Sequence, residues 1–235
     1  EEYIDKYGLK IQETLLPFVQ NLLCVEKPEF ETVDIVSELF VDFLEVRTVP
    51  TTLQEMGVLS SLIMKTSSDL KDFEGARTYE NTEEEVAEDE IIHVGILLNL
   101  SRCLEIIITK NSDTWESSSF IHIQGIEKSL FEALAELNAL HFPNKLIIMR
   151  RLTVPFGYLS TIKFHSNVSE QALCIEMLSK YEKNGYITSW ALLVLSNSIE
   201  SRKDVDELNE KISIKQLISL AQFFEDPIQY QGYLD

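Results

Sequence analysis

The chain has 235 residues, 45% of them hydrophobic, enough for a sizeable core in one large domain or two small ones. Its 39 acids outnumber 20 bases, and the net charge of −19 repels phosphate backbones, which argues against direct nucleic-acid binding and favours a basic protein partner. The same acidity also suits a protein that needs only solubility.

The richest apolar run, Ile91 to Ile108, is broken by His93, Asn99, Ser101, Arg102 and Glu105, so no membrane span is expected. No signal peptide opens the chain, and its start at Glu1 without a methionine reads as a processed chain or a fragment. Cys24, Cys103 and Cys174 are far apart, which fits buried thiols in a reducing compartment rather than a disulfide frame or a zinc site.

Period-2 alternation is nearly absent, and apolar residues recur at helical spacing. Tyr7, Ile11, Leu15, Phe18, Val19 and Leu22 predict a first helix, bent at Pro17. Val33, Val36, Leu39, Phe40, Phe43 and Leu44 predict a second, with the acids Glu38, Asp42 and Glu45 off its apolar stripe. Thr51 and Gln54 have capping-box spacing before a third, carried by Leu53, Met56, Leu59, Leu62 and Ile63. Lys71 to Glu90 is crowded with like charges, including Glu83, Glu84, Glu85, Glu88, Asp89 and Glu90. It is expected to be a mobile loop or the site of a disordered insert, with a helix able to start near Thr82.

From Ile91 the chain is apolar on most sides, the mark of a helix sandwiched between neighbours. Asn111 to Ser119 reads as a polar loop carrying Trp115, either a lid over the core or an interface anchor. Ile126, Leu130, Leu134, Leu137 and Leu140 predict the next helix, ending before Pro143, and Leu146 to Phe164 a pair of shorter helices around Pro155 and Gly157. Asn167 and Glu170 open another, which Asn184-Gly185 is expected to stop. A very apolar helix from Tyr186 to Ile199 and a last one from Ser213 to Phe224 complete the chain.

The expected fold is therefore all-α. A single domain over 1–235 would stack amphipathic helices as a right-handed HEAT- or armadillo-like repeat, with a globular helical bundle as the alternative.

No nucleotide cradle, zinc-protease motif or calcium loop is present, and His93, His122, His141 and His165 are widely spaced. No cofactor, metal or enzymatic site is expected. An all-helical hydrolase assembled from separate helices stays as a remote alternative. His93, on an apolar helix, reads as structural, and Cys103 and Cys174 as small core residues. Arg150 and Arg151, with Lys145 before and Lys163 after, form the local basic concentration. They either pair with the protein's own acids or dock an acidic partner segment, with Trp115 as a possible extension.

Two segments resemble the C-terminal domain of the Wapl family of cohesin-release factors. One is Val94-Gly95-Ile96-Leu97-Leu98-Asn99-Leu100; the other runs from Tyr186 through Ala191-Leu192-Leu193 to Ser201-Arg202, Ser213-Ile214 and Phe223-Phe224. Ser101-Arg102 departs from the family's acidic continuation, and the glycine expected in the Ala-Leu-Leu helix is absent. The resemblance implies a nuclear regulator of sister-chromatid cohesion that binds the cohesin ATPase heads and their helical-repeat accessory subunits. It also makes Gly95, Leu98 and Asn99 a helix-packing motif. The alternative is another armadillo- or HEAT-like adaptor or assembly scaffold.

Overall fold

The computed structural model describes residues 30–46, 53–76, 83–111, 120–162, 168–182 and 184–197, together with positions 206 and 212. Seven α-helices and no strand occur among the described residues: α1 (Phe30–Val46), α2 (Leu53–Ala76), α3 (Glu83–Asn111), α4 (Phe120–Ala139), α5 (Lys145–Ile162), α6 (Val168–Lys180) and α7 (Gly185–Asn197). The helices expected at Tyr7 to Leu22 and Ser213 to Phe224 lie outside the described residues, as does Thr51 of the capping box.

The chain divides into two compact units, Glu1–Leu152 and Thr153–Asp235. The boundary falls inside α5, close to Pro155. That proline has no amide hydrogen, and its ring crowds the carbonyl four residues back. Two short helices were expected here, yet α5 runs unbroken. An interior proline costs about 3 kcal/mol. The outcome is set by burial: Ile148, Met149, Leu152, Phe156 and Leu159 all point inward, and full burial of each such side chain is worth roughly 1.5–3 kcal/mol.

In the first unit, α3 packs against α1 and α2, and α2 also packs against α4. This is the sandwiched position that a helix apolar on most sides demands. Ile96, Leu97, Leu100, Cys103, Leu104 and Ile107 are completely enclosed. Part of this helix, Glu90–Lys110, has the length and apolarity of a membrane span, but most of it is buried inside the protein, so it is a core helix.

In the first unit α1 runs parallel to α3, and α2 to α4. Asp34 of α1 lies beside Gly95 of α3, while Glu45, further along α1, meets Arg102, further along α3. Likewise Gly57 of α2 approaches Ile126 of α4, and Lys71 reaches Glu136 at 3.4 Å. Buried hydroxyls make no exception to the apolar core. Ser60, Thr66 and Ser67 each donate back to a carbonyl of their own helix, so these three hydroxyls are satisfied.

The acidic segment from Lys71 to Glu90 is mostly helix. Its first residues complete α2 and its last ones open α3, and 77–82 lie outside the described residues. Carboxylates repel one another, but in the first turn of a helix they meet the positive end of the dipole. The helix α3 begins at Glu83.

Between α4 and α5, Pro143 halts the chain and Asn144 takes a left-handed conformation at φ 58°, which asparagine tolerates better than most residues. The Lys145 ammonium donates to the carbonyls of Asn138 (2.8 Å) and Leu140, closing the C-terminal end of α4.

In the second unit, α6 and α7 pack together, burying Leu173, Cys174, Met177, Ile187, Ala191 and Val194. Asn184 does not stop the preceding helix as expected. Its side-chain oxygen accepts the Ile187 amide at 3.1 Å, which makes it the N-cap of α7. The link between the helices is so short that the residue ending one turn also begins the next helix.

Candidate protein-binding surface

The basic concentration of the sequence converges on an acid. Glu105 of α3 sits among three arginines: Arg102 donates to it at 2.9 Å, Arg151 lies 3.4 Å away through Nε, and Arg150 approaches to 4.0 Å. Arg102 also reaches Glu45 of α1 at 3.2 Å, tying α1 and α3 together. Arg151 Nη1 donates to the Leu98 carbonyl at 3.0 Å, although a helical carbonyl in mid-helix already serves its own ladder. Burial pulls the Arg151 guanidinium below its ordinary range, and the nearby Glu105 carboxylate opposes that shift. Arg150 and Arg151 thus pair with one of the protein's own acids.

One turn before these arginines, Leu146 and Ile147 are exposed, at 48% and 41%. Spacing of four residues puts Leu146 beside Arg150 and Ile147 beside Arg151 on one side of α5. The surface therefore carries two apolar side chains next to three guanidinium groups, a composition typical of interface centres. Lys163 and Trp115, expected to extend this patch, lie outside the described residues, and Lys145 is engaged at the end of α4.

Of the Gly95, Leu98 and Asn99 group, Gly95 and Asn99 face α1. A methyl group on Gly95 would meet the Asp34 carboxylate at 3.0 Å. Asn99 donates through Nδ2 to Asp34 Oδ1 at 3.2 Å and to Ser37 Oγ at 3.0 Å. Burial, reinforced by Glu38, raises the Asp34 carboxyl above its usual range.

Sequence reasoning missed Glu105 and Asp34, the two acids that organise these contacts. The i,i+3 spacing of Arg102 and Glu105 was the available local signal for the first. Asp34 offered none, because its partners stand more than 60 residues away in the chain.

Among the described residues, no three His, Cys, Asp or Glu side chains gather as a metal site would require. His93 is buried and meets the Phe73 ring edge-on at 4.8 Å between centroids. Burial raises the Cys103 thiol far above its ordinary value and the Cys174 thiol to about 12, which removes both as nucleophiles at neutral pH.

The model of the BEM4 N-terminal domain matches residues 1–108, and that of the BEM4 C-terminal domain matches residues 128–235. The chain is 33% identical over 258 aligned residues to the GTPase-GDP dissociation stimulator BEM4 of Saccharomyces cerevisiae. The similarity points to the BEM4 family.

That alignment covers 97% of this chain and 41% of the yeast protein, so the chain spans about two-fifths of that relative's length. No solved structure matches. The two matched segments lie at either end of the chain, and together they overturn the resemblance to Wapl. Cohesin release, sister-chromatid cohesion and cohesin subunits as partners are withdrawn with it. The Wapl reading rested on two segments, Val94–Leu100 and Tyr186–Phe224, and the glycine, leucine and asparagine of the first suit any tightly packed helix pair. The BEM4 similarity, by contrast, extends over nearly the whole chain.

Proposed function

We propose that this chain is a protein-binding part of a regulator that engages a GTPase and promotes release of its GDP. The observation that carries the reading is the similarity to a GTPase-GDP dissociation stimulator over 97% of the chain. The chemistry fits: nucleotide release needs no covalent step in the regulator, only binding that favours the nucleotide-free GTPase over the GDP-bound one. Such a protein acts as a scaffold rather than an enzyme.

We further infer that the helices form a HEAT- or armadillo-like right-handed stack. The support is the parallel run of α1 with α3 and of α2 with α4, the pattern of helix pairs laid side by side. The surface assigned to the GTPase is Leu146, Ile147, Arg150 and Arg151, where apolar area and bidentate donors adjoin.

The test is release of a fluorescent GDP from a panel of small GTPases, with binding measured in parallel. Binding to at least one member with faster release is the expected result. Binding without faster release assigns stimulation to the rest of the longer protein. Absence of binding across the panel overturns the reading.

A further inference from the structure

Helix α1 presents two unlike sides. Val33, Val36, Phe40, Phe43 and Leu44 are buried against the rest of its unit, as the periodicity required. Leu39 was expected on that stripe but is 55% exposed, and Ile35, one turn before it, is 60% exposed. At about 100° per residue, Leu39 stands about 40° from Ile35 and about as far from Phe43, so the exposed pair runs along the flank of the buried row. The exposed acids Glu31, Glu38, Asp42 and Glu45 line one flank of this pair. The outward side of α1 is thus a row of carboxylates with an exposed apolar pair at i,i+4 spacing along one edge.

We propose that this face of α1 docks a basic amphipathic helix of a partner protein, its apolar side seated on Ile35 and Leu39 and its lysines or arginines along Glu31, Glu38 and Asp42. Two apolar side chains four residues apart form a ridge that fits the groove of another helix. Charge selects the occupant. A second copy of this chain would bring another −19, and a nucleic acid or an anionic membrane would be repelled by the same carboxylates. The chain's own residues 1–29 carry Glu1, Glu2, Asp5, Glu13, Glu26 and Glu29 against Lys6, Lys10 and Lys27, so they too are net acidic and poorly suited to this edge. A basic helix satisfies both the apolar ridge and its acidic rim. The inference is independent of the GTPase reading and stands or falls on α1 alone.

The probe is a synthetic helical peptide of about 18 residues, leucines on one face and lysines on the other, against its scrambled isomer of equal composition. Titration onto the full chain should give saturable binding of the amphipathic peptide, with the scrambled isomer weaker by roughly tenfold or more. The double change Ile35→Ser with Leu39→Ser, and separately Glu38→Lys with Asp42→Lys, should each weaken binding by a similar factor. All four side chains are largely exposed, so melting should change little. Reversal of Glu176 and Glu182, exposed acids of α6 and the turn after it, should leave binding intact. Equal binding of the scrambled peptide, or an equal loss from the Glu176 and Glu182 reversals, overturns the proposal in favour of unspecific attraction. A photo-crosslinker at position 39 should capture the peptide. Capture of residues 1–29 or of a second copy instead overturns it as well.

Discussion

Two glycines on helix surfaces meet their neighbours in opposite ways. Gly95 of α3 faces Asp34, a carboxylate at the end of a short, partly exposed side chain that Asn99 holds in place. Gly157 of α5 faces the indole of Trp190 on α7, with ring atom Cδ2 3.0 Å and Cβ 3.1 Å from where a methyl would stand, and a further ring atom closer still. A carboxylate can swing into solvent, whereas the bulky indole would have to move with its own Cβ, which also stands within 3.1 Å of the added methyl. The first contact is polar and adjustable; the second is apolar and rigid.

Gly157→Ala should therefore bring the largest loss, about 1–3 kcal/mol from overpacking, even after the roughly 1 kcal/mol that alanine gains over glycine in a helix. Denaturant melts of the single variant and of its combination with Trp190→Ala would show the cause. The glycine change should become neutral or favourable once the indole is gone, and a loss of the same size in both backgrounds would mean that the seat is not what matters.

At the polar contact, side-chain size decides. Gly95→Leu should cost about 1–3 kcal/mol, while Gly95→Ala should lie within roughly 1 kcal/mol of neutral, because the Asp34 carboxylate needs to give only a few tenths of an ångström. If alanine costs as much as leucine, the polar contact is as rigid as the apolar one and the comparison fails.

Arg151→Glu should lower the melting temperature, because it places two carboxylates together and removes the donor to the Leu98 carbonyl. Arg150→Glu, whose contact with Glu105 is longer, should lower it less. Equal melting of all three proteins would show that Glu105 does not depend on these partners.

The smallest effect concerns pH. Burial and Glu38 raise the Asp34 carboxyl above its reference of 3.8, so the folded chain holds that proton more tightly than the unfolded one. Its contribution to stability is fully present below the unfolded value and is lost as pH rises through the folded one. Asp34→Asn, which keeps an oxygen for Asn99, should flatten that part of the stability curve and slightly stabilise the chain at neutral pH. Unfolding midpoints measured at mildly acidic and neutral pH check this. An unaltered slope would mean that Asp34 is effectively solvated.

Much of the fold could be read in the sequence. Val33, Val36, Phe40, Phe43 and Leu44 predicted α1, and Ile126 through Leu137 predicted α4, because a 3.6-residue period in apolar side chains is a local property of the chain. Leu39 was assigned to the wrong side, since its spacing suits the edge of the apolar stripe as well as the exposed ridge. The candidate surface was legible in part: Arg150 and Arg151 stand out by charge alone, but Glu105 becomes their partner only when α5 is laid against α3.

What the sequence determined by itself is the helical class, the acidic character and the absence of any local catalytic motif, since each follows from residue type and spacing of nearest neighbours. Tertiary structure decided the rest. Packing kept α5 continuous through Pro155, turned Asn184 from a stop into a cap, and brought Asp34 to Gly95 and Asn99. Each of these depends on contacts between residues distant in the chain. Burial there outweighs local propensities of about 1–3 kcal/mol, and no window of neighbouring residues contains it.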